Sequence, residues 1–118
     1  MNLTFANDNF QIEWEWYEQL LAFNPSKTFI IPLNHIVAVS TAQAVSSWTE
    51  IRNPGSFIPG IIKAGTYYSS RGKEFWYVTK DQDFLTLEIK DESYQRIILT
   101  IDENQAWLER INQYVVTK

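Results

Sequence analysis

The chain has 118 residues, no cysteine and a formal net charge of −4, which suits one domain rather than two and excludes disulfides and thiolate metal sites. At this length roughly two-thirds of the unfolded surface can be buried, so an independent core is feasible. The acidic balance argues against a general nucleic-acid binder, and no apolar run reaches the ~18 residues of a membrane span.

Taken in chain order, Leu3-Thr4-Phe5 is a short strand ended by the turn Asn7-Asp8-Asn9. Phe10, Ile12, Trp14 and Trp16 then alternate with Gln11, Glu13 and Glu15, as in a half-buried strand with an acidic outer face. Tyr17 to Phe23 fits either a helical turn or more strand. Asn24-Pro25-Ser26 is a turn on both readings. Lys27 to Ile31 predicts a strand that Pro32 confines to an edge or an end. Leu33-Asn34-His35 is a tight connection before a strand over Ile36 to Thr41. From Gln43 to Ala64 the periodicity lapses, and the segment reads as a long connection containing Trp48 and Phe57.

Period two returns in Thr66 to Ser69, Phe75 to Val78, Phe84 to Lys90 and Arg96 to Ile101. Short polar turns separate these runs: one holds Gly72, suited to positive φ, and the others are Asp81-Gln82-Asp83 and Asp91-Glu92-Ser93. Four neighbouring antiparallel strands are expected. The period then changes to 3.6, with Asp102 as cap and Gln105 three residues on. Trp107, Leu108, Ile111, Tyr114 and Val115 form one apolar stripe, with Trp107 its largest anchor. Glu103, Glu109, Arg110 and Gln113 take the other face, and the preceding sheet is the expected floor.

The residue inventory offers little for catalysis. His35 is the single histidine, without a sequence neighbour to serve as base, nucleophile or orienter. Zinc needs several such ligands. Asp81-Gln82-Asp83 lacks the glycine and closing glutamate of a calcium loop. Gly55 and Gly60 are followed by Ile61-Ile62 rather than the Lys-Ser/Thr of a phosphate loop. Glu13 and Glu15 are explained by a solvated strand face. No metal or cofactor is expected, and Trp14, Trp16, Trp76 and Trp107 read as packing.

Charge is unevenly spread. Arg52, Lys63, Arg71, Lys73 and Lys80 against Glu74 give residues 51–80 a net of +4, while the segments on either side each carry −4. Within this cationic centre Arg52, flanked by Trp48 and Phe57, is the candidate interface anchor. Lys63, Arg71 and Lys73 are the candidates for steering an acidic partner. The competing reading has Phe57, Ile58 and Ile61 in the core and the charges merely solvated.

Asn53-Pro54-Gly55-Ser56-Phe57-Ile58-Pro59-Gly60, Ala64-Gly65-Thr66-Tyr67 and Gly72-Lys73-Glu74-Phe75-Trp76 resemble segments of the bacterial pleckstrin-homology-like (PH-like) domains. Leu85 to Ile89, Tyr94 to Leu99 and the helix around Trp107 to Ile111 extend that resemblance over the second half of the chain. It implies a mainly β fold: a partly open barrel of two antiparallel sheets, about seven or eight strands, capped by one C-terminal α-helix. It also implies binding to proteins or self-assembly; with the sparse catalytic inventory and the absence of cysteine, the expectation is a single non-catalytic cytoplasmic module that binds a protein or peptide, or self-associates. The early turns lack the basic cluster with which eukaryotic relatives hold inositol phosphates, so that role does not carry over. A site for an anionic lipid headgroup or acidic small ligand on the cationic centre is the alternative, with at most peripheral membrane contact. An enzyme is disfavoured.

Overall fold

The computed structural model describes residues 1–42, 51–58, 62–69, 72–79 and 83–116, with 51–58, Ile62, Ser69 and Val116 described by backbone alone. The first sheet is antiparallel, in the order β1 (Asn2–Ala6), β2 (Asn9–Glu13), β3 (Thr28–Pro32). Asn7 and Asp8, at φ 52° and 63°, make the two-residue turn between β1 and β2, the left-handed pair that matches strand twist. β2 stops at Glu13, short of the alternation that ran to Trp16. Glu15 instead caps a helix, α1 (Trp16–Ala22). The reciprocal Glu15–Glu18 capping box satisfies helix-end N–H groups that a continuing strand would have needed to pair.

The second sheet holds β4 (Ile36–Ser40), β5 (Ile51–Ile58), β6 (Ile62–Ser69), β7 (Gly72–Val78), β8 (Phe84–Ile89) and β9 (Arg96–Thr100). Their order is β4-β8-β9-β7-β6-β5. Gly72 has φ 118° where β6 turns into β7, as its position in the hairpin predicts. The four consecutive strands do not form a simple meander. β9 inserts between β7 and β8, parallel to β7 and antiparallel to β8. Ile97, Ile98 and Leu99 are buried in succession, so both faces of β9 are covered: Ile97 and Leu99 join the main core, and Ile98 a second cluster with Tyr67, Trp76, Val78 and Phe84.

A second departure concerns the supposed long connection. Residues 51–58 are a strand, antiparallel to β6, with a register shift between Arg52 and Gly55. That irregularity and Pro54 break the alternation by which a strand is recognised, and both are tolerated on an edge strand.

Among the described residues the two sheets share no strand. Phe10, Ile12, Trp14 and Ile31 of the first side meet Phe75, Tyr77, Leu85, Leu87, Ile97 and Leu99 of the second. The C-terminal helix α2 (Asn104–Val116) lies against β4 and β8. It starts two residues after the expected cap. Glu103 takes φ 58°, and the Asn104 amide donates to the Phe84 carbonyl at 2.9 Å. Ile111 is its fully buried residue, whereas Trp107 is half-buried over Phe5 and Phe10. Arg110, expected on the far face, lies 4.3 Å from the Trp107 ring centre. The mainly β class, the two sheets and the helix are as expected; among the described residues the strands number nine, one pairing is parallel, and a second α-helix is present.

Candidate functional site

β3 is an edge of its sheet. The Trp14 N–H to Lys27 carbonyl bond (2.8 Å) and the Leu33 N–H to Asp8 carbonyl bond (3.0 Å) continue the β2–β3 ladder at either end. They set its phase, so Phe29 and Ile31 bond inward and Thr28 and Ile30 turn their N–H and C=O groups outward. Among the described residues those outward groups have no partner. Pro32 shares the outward phase, where a missing N–H costs nothing.

A groove of about 440 Å³ runs along this edge, within the ~300–1,000 Å³ common for ligand clefts. Thr28, Phe29, Ile30 and Ile31 line one side, Ile89 and Ile97 contribute apolar surface, and Lys73, Glu92, Ser93 and Tyr94 line the other side. Tyr94 is held by Phe29 (5.7 Å between ring centres), Phe75 (5.6 Å) and the Thr66 hydroxyl (3.2 Å). The Lys73 ammonium sits 4.7 Å from the Tyr94 ring centre and is the basic group of the groove among the described residues. Glu92 is bonded to His35 Nδ1 at 2.5 Å. The acid that no sequence neighbour of His35 supplied thus comes from the β8–β9 turn.

At the end nearest α1 the groove reaches Asn24, Pro25 and Ser26. The Asn24 carbonyl oxygen of the side chain accepts from the Ser26 N–H at 3.0 Å, while its buried Nδ2 has no partner among the described residues. Asn24 and Pro25 also border an open concavity formed by Trp16, Gln19, Leu20 and Phe23. Here α1 is turned against the usual rule. Its buried residues are Glu18 and Ala22, and its outward stripe is Trp16, Leu20 and Phe23, which are 73%, 67% and 63% exposed. Trp16, expected as packing, therefore faces solvent.

The cationic centre is arranged differently from its sequence reading. Lys63 is only 6% exposed, with its ammonium 3.6 Å from the Trp76 ring centre and 4.2 Å from that of Tyr67. A cation held over two aromatic faces is not a solvated steering charge. Beside it, the fully buried Glu74 pairs with Arg96 (3.0 Å) and accepts from the Trp76 indole (3.1 Å). Of the two nominated residues with described side chains, Lys63 and Lys73, it is Lys73 that lines the groove. Trp48 and Arg71 lie outside the described residues, as do the side chains of Arg52 and Phe57, although both of the latter belong to β5. Glu15 is a helix cap and does not share a strand face with Glu13. Burial, followed by the charge of Glu18 and then Tyr17, pushes the Tyr77 hydroxyl from 10.0 up to about 12. The described residues hold no group of three or more potential metal ligands.

Sequence reasoning missed Thr28, Ile30, Tyr94, Trp16, Leu20 and Phe23. A signal existed for the helix, since Trp16, Leu20 and Phe23 stand at helical spacing; nothing local says which way that stripe faces. No protein-family model, curated protein or solved structure matches the chain.

Proposed function

We propose that this protein is a non-catalytic interaction module that takes an extended peptide segment of a partner protein as an added strand on β3. The observation that carries this reading is the outward backbone of Thr28 and Ile30 opening into a groove with apolar and cationic lining. Main-chain bonds to an exposed edge supply affinity, and alternate side chains entering the groove supply selectivity. Side chains directed at the half-buried Phe29 and the exposed Ile30 would be apolar, and one near Lys73 acidic. The competing site for an anionic headgroup loses support from Lys63, whose ammonium is held internally over Trp76 and Tyr67. The architecture of two sheets and a C-terminal helix supports the likeness to PH-like domains, and the parallel β7–β9 pair departs from it.

Ile30→Pro tests the reading. It removes an N–H that makes no bond among the described residues, so the melting temperature should change little. Selection from displayed random peptides of about twelve residues, enough to span β3 and its flanks, should enrich extended sequences on the wild type. Their affinity should fall by tenfold or more, about 1.4 kcal/mol, on Ile30→Pro. Unchanged affinity would overturn strand addition. A dimer of the free chain that Ile30→Pro dissociates would replace the peptide with a second copy.

A further inference from the structure

Resting on that reading, we infer that the same ligand extends past the groove and seats a large apolar side chain on the outward face of α1. Three observations converge on this surface. First, α1 buries a glutamate and an alanine while presenting Trp16, Leu20 and Phe23 to solvent. Glu18 reaches inward to the Met1 nitrogen (2.7 Å), while its bond to the Glu15 N–H (2.8 Å) closes the local capping box. The helix thus ties its polar side to the fold and leaves its apolar stripe outside. Exposed apolar clusters of this kind mark interaction surfaces rather than ordinary solvent faces.

Second, Phe23 ends α1 in the left-handed region, at φ 51°. Glycine or asparagine fills such a position with less strain, and a bulky side chain there is an outlier. A strained backbone that displays an exposed phenyl ring points to use of that ring by something outside the fold. Third, the surface is continuous with the groove, because Asn24 and Pro25 border both. A strand paired with the outer edge of β3 and running toward the N-terminal end of β3 arrives at these residues and then at α1. The apolar side chain then lies at a fixed number of positions beyond the ligand residue opposite Ile30, set by the ~3.3 Å rise of an extended strand.

The test uses the full chain and the random-peptide display described above, with Leu20→Ser and Phe23→Gly beside the wild type and Ile30→Pro. The wild type should enrich Trp, Phe or Leu at a fixed distance from the extended core of the peptide. Leu20→Ser should retain the core and lose that preference, with binding of the wild-type consensus weakened roughly tenfold or more. Phe23→Gly should weaken binding likewise while leaving the melting temperature unchanged or higher, which a merely structural role would not do. An identical consensus on Leu20→Ser would overturn the inference and leave strand addition standing. Loss on Leu20→Ser with no loss on Ile30→Pro would uphold the α1 contact and overturn strand addition. No enrichment at all would overturn both. Two further results would overturn the assignment of the occupant: sedimentation with phosphatidylcholine vesicles that Leu20→Ser abolishes, indicating a membrane, or a dimer that it dissociates, indicating a second copy.

Discussion

The two helices carry similar apolar stripes and use them in opposite ways. α2 sends Ile111 into the core and lays Trp107 over Phe5 and Phe10. α1 keeps Trp16, Leu20 and Phe23 outside and buries Glu18 and Ala22. The difference lies in what each helix is tied to. α2 has an apolar core against which its stripe can lose water, and that burial is the main favourable term. α1 has seven residues, and its buried Glu18 both closes the local capping box and meets the Met1 nitrogen, so the polar side of the helix is the one tied to the fold. A helical period identifies a face; it does not identify what the face meets.

Four measurements sharpen or break this comparison. The largest effect is expected at Ile111→Ala, a cavity in the shared core, which should cost ~2–5 kcal/mol in urea melts. Trp107→Ala, half-buried, should cost less, about 2–3 kcal/mol. A larger loss at Trp107 than at Ile111 would reverse the assignment of the anchor.

The second concerns the buried side of α1. Tyr77 has its hydroxyl pushed from 10.0 to about 12, mainly by burial and then by Glu18. The shift favours the neutral phenol in the folded state. Its contribution is complete below about pH 10 and is lost as pH rises through the folded value, with an upper limit of about 2–3 kcal/mol. Stability of Tyr77→Phe should therefore fall less steeply than wild type over that alkaline window. Equal slopes would show that the hydroxyl beneath α1 is not desolvated.

The third and fourth effects are small. Phe23→Gly relieves a left-handed phenylalanine and should stabilise by up to ~1 kcal/mol. Leu20→Ser, on the outward face of α1, should stay within ~0.5 kcal/mol of wild type. A loss there as large as that at Ile111→Ala would mean that α1 packs its stripe inward, and the contrast between the helices would disappear.

Much of the local structure was legible. Gly72 at positive φ, the Asn7-Asp8 turn, the alternation of β8 and β9 and the stripe of α2 each follow from residues close together in sequence. Pro32 announced an edge strand, which is where β3 lies. β5 escaped notice because its register shift and proline erase the alternation. The candidate site was legible only in part. Lys73 was nominated and lines the groove. Lys63 was nominated to steer an acidic partner, and nothing local revealed that Trp76 and Tyr67 receive its ammonium.

The sequence by itself determined where the chain turns and which segments have period two or 3.6, because φ preferences and side-chain alternation act over a few residues. Tertiary structure decided the strand order, the outward stripe of α1, the meeting of His35 with Glu92 and the groove beside β3. Those depend on segments distant in the chain competing for the same buried surface. β9 lies between β7 and β8 with apolar residues buried on both its faces, which only the layers packed on the sheet could cover, and no described strand pairs with the outer side of β3.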